Sequence, residues 1–256
     1  MTLTIFTING YMGDMYIGPQ ADCGRYLSKN PVDHGLSLAD WQPIGYNSGA
    51  FPLSSGVASG RAELRKQRSL HPGPCLIAAW SEGCCIATEE LKSDPQLVAD
   101  CKGGAFYGNP YRAEHQWNPS GSATGAVPDP GGAGVGGPAH NWQTPPSIHH
   151  YCHGPNQPSY DRKTGTDLYT CCSTGEDGDI ARIFYNFVFN NWTGAFGEIL
   201  VVAEDLVKNA GMTLFAAVET AFEWIRFFAG GTGPHTDYDS YAGKTYLAGV
   251  ARGLLA

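Results

Sequence analysis

Positive charge is scarce in this sequence. It has 16 Lys and Arg against 24 Asp and Glu among 256 residues, which gives a formal net charge of -8 at pH 7. The basic residues are scattered along the chain, so they form no stripe that could follow a phosphate backbone. We therefore expect no nucleic-acid partner.

Long hydrophobic runs are also missing. The most apolar region, residues 196–228, is interrupted by seven charged side chains, and its longest charge-free stretch, 209–218, is too short to cross a bilayer as a helix. The first residues lack the basic region, the long apolar region and the cleavage site of a secretion signal, and instead have the composition of a strand. The sequence therefore predicts no transmembrane span and no signal peptide.

What the chain does contain is an alternation of strands and helices. Runs of apolar and β-branched residues predict strands at 3–8, 75–80 and 104–107, a weaker one at 41–46, and sheet-like sequence again from Ile148. Apolar spacings of three and four predict helices at 54–70 with Ser54 as cap, 84–91, 180–189, 198–209 and 212–228. Strands that alternate with helices favour an α/β fold with a mostly parallel sheet.

Residues 118–146 interrupt this alternation. They are rich in glycine and proline and contain little that could contribute to a core. Loops of this length inside a compact domain are often functional. We expect this one to form a rim or a lid over a site.

Residues 79–83 join the predicted strand at 75–80 to the next helix. Their sequence, Ala-Trp-Ser-Glu-Gly, is a variant of the nucleophile elbow Gly-x-Ser-x-Gly, with Ala79 in place of the first glycine. Small residues on both sides of the serine let strand and helix meet at a strained turn, which exposes the hydroxyl above the sheet. Ser81 is the candidate nucleophile, and a serine that only caps the helix is the alternative.

A nucleophilic serine needs a base, which follows it along the chain in this kind of fold. The histidines after Ser81 are His115, His140, His149, His150, His153 and His235. His235 is the best placed, because it lies in a loop beyond the helical region, where the chain can return to the top of the sheet. An exposed loop histidine without a catalytic role is the alternative.

Short segments along most of the chain resemble the lysin B proteins of mycobacteriophages, the mycolylarabinogalactan esterases, which are related to cutinases. The more discriminating ones are Trp-Gln-Pro-Ile-Gly at 41–45 and Gly-Asn-Pro-x-Arg at 108–112. The others lie at 9–10, 50–52, 79–83, 167–169 and 233–235. The sequence departs from the family pattern at Ala79, at Glu82, where glutamine is common, and at Thr166, where glycine is usual.

The resemblance implies an α/β-hydrolase (cutinase-like) fold, with a mostly parallel central sheet flanked by helices and a helical insertion between the triad acid and the histidine. It implies that Ser81 is the nucleophile, Asp167 the triad acid and His235 the base. The acid-bearing segment has extra residues compared with the family, so Asp161 and then Asp177 are the alternative acids.

Acyl transfer by such a triad needs donors for the oxyanion. We expect these to be the backbone N–H of Glu82 and one N–H from the loop after the first strand, from Tyr11 or Gly10. The expected organisation is a hydrolase core at 1–179 that includes the loop at 118–146, a helical insertion at 180–229 that serves as lid or linker, and core completion at 230–256. No cofactor is expected.

The substrate that the resemblance implies is the ester bond between mycolic acids and arabinogalactan in the cell envelope, cleaved during phage lysis. The protein would be made in the host cytoplasm and act at the envelope, either free or as part of the virion. Two alternatives stay open, a cutinase-like lipase or esterase with another lipid ester substrate, and a phage tail or envelope-binding protein that keeps the hydrolase fold.

A metal site is a further alternative. His149, His150, Cys152 and His153 offer donor atoms that suit zinc. In an extended segment, however, alternate side chains point to opposite faces, so only a subset could converge. The favoured expectation is therefore no metal.

The eight cysteines are too few for a disulfide scaffold and more than a cytosolic enzyme usually carries. As single residues they are best interpreted as small buried hydrophobic side chains. Because related cutinases place a disulfide beside the triad acid, the resemblance also implies a bond from Cys152 to Cys171 or Cys172.

Overall fold

The computed structural model describes seven parts of the chain, which are residues 3–29, 37–117, 128–154, 166–173, 176–190, 208 and 235–256. Of the predicted helical insertion at 180–229, the described parts are 180–190 and residue 208. The predicted helices at 198–209 and 212–228 therefore lie outside the described residues, apart from residue 208. No helix in the described parts is long and apolar enough to span a membrane.

A parallel sheet of five strands forms the centre of the described fold. The strands are β1 (Thr4–Ile8), β2 (Asp40–Pro43), β3 (Cys75–Trp80), β4 (Cys101–Tyr107) and β5 (Ile148–Tyr151). Their order across the sheet is β2-β1-β3-β4-β5, and every neighbouring pair is parallel. The prediction of a mostly parallel sheet is confirmed.

Strand β3 shows why its residues are apolar on both faces. It lies at the middle of the sheet, and its first five residues are buried. Leu76 and Ala78 point into one hydrophobic cluster, and Ile77 and Ala79 point into the other. A parallel strand covered by helices on both sides has no face that favours polar side chains.

Helices cover the two faces of the sheet. They are α1 (Pro19–Ser28), α2 (Leu53–Leu70), α3 (Glu82–Ser93), α4 (Pro95–Asp100), α5 (Glu176–Asn190) and α6 (Tyr241–Leu255). Helices α1 and α6 pack together over one face, whereas α2, α3 and α5 pack over the other. This is a three-layer α/β/α arrangement.

Several sequence predictions need correction. Helix α2 begins at Leu53 after Pro52 and has no side-chain cap, so the prediction of Ser54 as its cap is wrong. Proline with a φ of -60° is already set for the first turn, which lets the helix begin ahead of the serine. Helices α1, α4 and α6 were not predicted.

The Gly/Pro-rich loop also differs from expectation. Residues 118–127 lie outside the described part, but residues 133–137 are buried, and Val135 is fully buried in the main core cluster. The N–H of Ala133 donates to the carbonyl of Cys172, and the N–H of Cys172 donates to the carbonyl of Ala133. This half of the loop is therefore a support for the segment that follows Asp167.

All eight cysteines are buried free thiols. The side chains of Cys152 and Cys171 contact each other, whereas Cys172 turns away and donates to the carbonyl of Gly178. The predicted disulfide from Cys152 is not formed in this structure, and the interpretation as small buried residues describes the cysteines better.

Candidate active site

The loops at the carboxyl ends of the strands meet at one edge of the sheet, which is where ligands bind in open α/β folds. Ser81 follows β3, the loop at 9–13 follows β1, and Gly108 follows β4. Asp167 lies beyond β5, where its N–H donates to the carbonyl of His153 over 2.9 Å.

Ser81 occupies the predicted elbow between β3 and α3. Its φ of 56° and ψ of -121° are unusual for a residue with a side chain, and such backbone strain costs about 1–3 kcal/mol. The surroundings demand small neighbours, since a Cβ atom at Gly83 would lie 2.3 Å from the carbonyl oxygen of Ile8. Ala79, which replaces the first glycine of the elbow pattern, is fully buried. Its partners on the two neighbouring strands are Ile8 and Phe106.

His235 lies directly against the serine. Its Nε2 is 2.7 Å from Oγ of Ser81. The indole N–H of Trp80 donates to the carbonyl of His235 over 3.0 Å, and the ring of Tyr169 packs on the imidazole with 4.2 Å between centroids. The residue that precedes the nucleophile thus helps to hold the histidine in place.

Asp167 completes the chain of contacts. Its Oδ2 is 2.9 Å from Nδ1 of His235, and its other oxygen accepts the backbone N–H of Tyr169 over 3.0 Å. The hydroxyl of Tyr238 donates to Oδ2 over 2.5 Å. Burial acts to raise the pKa of Asp167, but His235 and these donors outweigh it and lower the pKa below its ordinary value.

Arg112 holds the segment that carries Asp167. Its guanidinium is fully buried and donates to five backbone carbonyls, those of Thr170 at 2.8 Å, Gln116 at 3.0 Å, Gly131 and Gly132 at 2.8 Å each, and Ala113 at 3.4 Å. The planar fork of arginine suits several acceptors at once. The arginine of the Gly-Asn-Pro-x-Arg element therefore ties the acid segment to the inward-packed half of the Gly/Pro-rich loop.

Gly108, the first residue of that element, lies behind the imidazole and the carboxylate. Its φ is +58°, and a Cβ atom there would lie 2.9 Å from Cε1 of His235 and 3.0 Å from Oδ2 of Asp167. A left-handed backbone and the lack of a side chain are both needed at this position.

The loop at 9–13 lies beside the serine. A Cβ atom at Gly10 would be 3.0 Å from Cβ of Ser81. The side-chain amide of Asn9 donates to the carbonyls of Gly10 and Gly13, at 3.0 and 2.6 Å. Among the described residues, the backbone N–H of Tyr11 makes no hydrogen bond, and that of Glu82 makes none outside α3.

A cleft opens in front of Ser81. It contains about 480 Å³ of empty space, part of it open to solvent. Its walls are mainly apolar and aromatic, and the lining residues are Tyr11, Leu53, Ser81, Glu82, Pro110, Tyr169, Tyr185 and Phe189. Helix α5, the first part of the predicted insertion, supplies the last two.

The other candidate residues lie elsewhere. His140 contacts Glu89, His115 contacts Asp129, and His150 is buried against Thr144. Asp177 is in the first turn of α5, and Asp161 lies outside the described residues.

The predicted donors of a metal site also separate. His149 stacks on Tyr246, whereas His153 contacts the carbonyl of Asp237. Cys152 instead contacts the hydroxyl of Thr170. In the described part of the chain, no group of three or more histidine, cysteine or acidic side chains could hold a metal ion.

Sequence reasoning missed three side chains that shape the site. Tyr238 bonds to the buried carboxylate, Trp80 to the backbone of His235, and Tyr46 to both Glu82 and the carbonyl of Asn9. The position of Tyr238, three residues after the predicted base, is the only local signal that could have identified one of them.

The sheet order, the elbow at Ser81 and the contacts from Ser81 through His235 to Asp167 define an α/β-hydrolase fold. Among solved structures, the chain is similar to lysin B from Mycobacteriophage D29, with 22% identity over 96% of this chain and 99% of that chain and a TM-score of 0.65. The resemblance seen in the sequence is thus confirmed for the fold.

More distant structures include a cutinase-like protein from Cryptococcus sp., at 14% identity over 58% of this chain and 74% of that chain, with a TM-score of 0.43. An acetyl xylan esterase matches at 15% identity over 73% of this chain and 95% of that chain, with a TM-score of 0.41. Both scores are too low to support an argument. No protein-family model and no curated protein matches the chain.

Proposed function

We propose that this protein is a serine esterase that cleaves a carboxylic ester through an acyl-enzyme. The observation that carries the proposal is the continuous contact from Ser81 Oγ to His235 Nε2, at 2.7 Å, and from His235 Nδ1 to Asp167 Oδ2, at 2.9 Å. The base is within direct hydrogen-bond reach of both the nucleophile and the orienting carboxylate, which is the geometry that this chemistry requires.

In the first step, His235 takes the proton of Ser81 as Oγ attacks the ester carbonyl. The imidazolium gives that proton to the leaving alcohol, and the acyl group stays on Oγ. Water then attacks the acyl carbonyl and loses a proton to His235, which returns it to Ser81 as the acid leaves. The buried carboxylate of Asp167 stabilises the imidazolium in both steps.

The backbone supplies the donors for the oxyanion in this proposal. The N–H of Glu82 lies at the start of α3, where the helix dipole also favours negative charge. The N–H of Tyr11 or Gly10, in the loop that lies against Ser81, is the second donor. Loss of one such donor typically costs about 10²–10³ in rate.

The acyl group of the substrate would lie in the aromatic cleft. Its apolar lining favours a hydrocarbon chain over a charged or heavily hydroxylated group. Tyr185 and Phe189 come from α5, so we propose that the segment at 180–229 is an insertion that forms part of the acyl site, with the core at 1–179 and 230–256. The substrate we propose is the ester between mycolic acids and arabinogalactan, cleaved at the envelope during phage lysis.

Two assays test the proposed function, one for esterase activity and one for the substrate. Turnover of p-nitrophenyl butyrate by the parent and by Ser81→Ala tests the esterase, and a parent without serine-dependent turnover would contradict it. Release of free mycolic acids from purified mycolylarabinogalactan tests the substrate. Hydrolysis of the small ester without release of mycolic acids would support the esterase activity and would indicate that the substrate is another lipid ester.

A further inference from the structure

The side chain of Glu82 is unusual for the residue that follows a nucleophile. It is a carboxyl group with only 5% of the residue exposed. Its Oε1 lies against Gly56 of helix α2. The lack of a side chain at Gly56 makes room for it, because a Cβ atom there would lie 2.3 Å from Oε1. Within the described part of the chain, this Oε1 is buried and has no hydrogen-bond partner. A carboxylate in such surroundings would be costly, since burial penalises the charged form.

The other carboxyl oxygen contacts Tyr46. The hydroxyl of Tyr46 lies 3.1 Å from Oε2 of Glu82 and 2.8 Å from the carbonyl oxygen of Asn9. A hydroxyl has one proton to donate, and a carbonyl can only accept. When Tyr46 donates to Asn9, its contact with Glu82 is a hydrogen bond only if the carboxyl group carries the proton.

The surroundings of Glu82 favour that protonated state. The titratable groups that interact with it from the packed elements are Tyr46, Tyr11, Tyr111 and Cys85, and none of them supplies positive charge. His235 lies on the other side of Ser81, engaged with Oγ and Asp167. Burial raises the pKa of Glu82 to about 8.

Asn9 connects this contact to the nucleophile. Its carbonyl accepts from Tyr46, while its side-chain amide fixes the carbonyls of Gly10 and Gly13. Gly10 in turn lies against Ser81. The bond from Tyr46 is therefore one of the contacts that hold the loop beside the serine, together with the bond from the N–H of Met12 to the carbonyl of Ser48.

We propose that Glu82 is a positioning residue whose protonated carboxyl donates to Tyr46, so that Tyr46 donates to Asn9 and holds the loop that carries the second oxyanion donor. This inference rests on the esterase function proposed above. When Glu82 loses its proton to solvent base, the carboxylate becomes the stronger acceptor, and the hydroxyl of Tyr46 turns to donate its hydrogen bond to Glu82. The carbonyl of Asn9 then loses its donor, and the loop beside Ser81 loses one of the contacts that hold it.

The first experiment is the pH profile of kcat/KM for p-nitrophenyl butyrate, corrected for spontaneous hydrolysis. A group with a pKa of about 8 is roughly 90% ionised one pH unit higher, so the parent should be about tenfold slower at about pH 9 than at about pH 7. In Glu82→Gln the amide donates to Tyr46 at every pH, so the ratio of the two rates should be close to one. An alkaline loss that persists in Glu82→Gln with the same midpoint would overturn the proposal.

Three further variants separate positioning from packing. Glu82→Leu fills similar space and removes the acceptor that competes with Asn9, so Tyr46 keeps its bond to Asn9 and the variant should match Glu82→Gln, without the alkaline loss. Tyr46→Phe removes the bond to Asn9, so it should lower kcat more than it raises KM and should also lack the alkaline loss. Glu89→Gln changes a half-buried acid elsewhere on α3 and should keep the alkaline loss of the parent. If Tyr46→Phe keeps the kcat of the parent at about pH 7, or if Glu82→Leu keeps the alkaline loss, the proposal fails.

A measurement that does not depend on turnover distinguishes failure of this proposal from failure of the proposed esterase function. Carbon-13 NMR of protein labelled at the glutamate side-chain carboxyl should show one signal that titrates near pH 8 and is missing from Glu82→Gln. A Glu82 carboxyl that is already ionised at about pH 6 would overturn the proposal, whatever the activity. Absence of serine-dependent turnover in the parent would instead contradict the esterase function.

Discussion

Tyr238 and His235 share one oxygen of Asp167. The hydroxyl of Tyr238 donates to Oδ2 over 2.5 Å, and Nδ1 of the imidazole lies 2.9 Å from the same atom. Burial of the carboxylate opposes its ionisation, but these two contacts and the N–H of Tyr169 outweigh burial and keep it ionised. The last loop of the chain thus delivers both the proposed base and a donor that stabilises the proposed acid.

Tyr238→Phe removes that donor and should destabilise the charged carboxylate. Hydrogen bonds to charged groups contribute about 1.5–3 kcal/mol, so the free energy of unfolding should fall by a similar amount near neutral pH. The lowered pKa of Asp167 gives stability that is present above the ordinary pKa of an aspartate and is lost as the pH falls through the lowered value. As the solution is acidified, the melting temperature of the variant should therefore begin to fall at a higher pH than that of the parent. An unchanged profile of melting temperature against pH would contradict this role of Tyr238.

Asp167→Asn should reduce kcat by about 10⁴, as expected for the acid of such a triad, because the histidine loses its orienting charge. Asp161→Asn is the matched comparison, since Asp161 is the alternative acid from the sequence, and it should change kcat little. Both are measured with a p-nitrophenyl ester. A large loss in Asp161→Asn together with a small one in Asp167→Asn would reverse the assignment.

Gly108→Ala should reduce activity with less effect on folding. The new Cβ would press on His235 and Asp167, and displacements of about 1 Å at such groups can cost about 10²-fold in rate. Gly73→Ala is the control, because Gly73 also has a positive φ, of +112°, but a Cβ atom added there would have no atom within 4 Å. It should lower the melting temperature and leave kcat/KM unchanged. Equal loss of activity in the two variants would point to backbone strain alone.

Arg112→Lys tests how the acid segment is held. Lysine cannot reach all five carbonyls that Arg112 binds, and each buried polar group left unsatisfied costs about 1–3 kcal/mol, so a total loss of at least about 3 kcal/mol is expected in denaturant unfolding. Arg25→Lys is the control, because the pair of Arg25 with Asp22 is about half exposed and such pairs contribute roughly 0–1 kcal/mol. Similar values for the two variants would show that the buried fork is unimportant.

Much of the site could be predicted because it depends on local patterns. The apolar strand that ends at Trp80, the small residues around Ser81 and the position of His235 are all visible in the sequence. The motif at 108–112 was recognised only by resemblance, and the structure gives its physical meaning through Gly108 and Arg112. The predicted catalytic roles stay predictions, whereas the predicted proximity of the three residues is observed.

Of the missed helices, α4 has a local signal in its cap Asp94 and in Pro95, whereas α1 and α6 depend on contacts between distant residues. Helix α1 contains Gly24, where a Cβ atom would lie 2.2 Å from the indole nitrogen of Trp41. Helix α6 contains Gly243, which is packed against the hydroxyl of Tyr107. Glycine lowers helix propensity, so tertiary packing and not local preference explains these helices. The contact of Glu82 with Tyr46 likewise joins residues 36 positions apart.

In the proposed function, Ser81 is a nucleophile that His235 activates. The most direct measurement is covalent labelling with a p-nitrophenyl alkylphosphonate, followed by peptide mapping. We expect one phosphonate adduct, on Ser81, with loss of esterase activity in step with labelling, and much slower labelling in His235→Ala. A parent protein that takes up no label, or takes it up on another residue while Ser81 stays free, would contradict it.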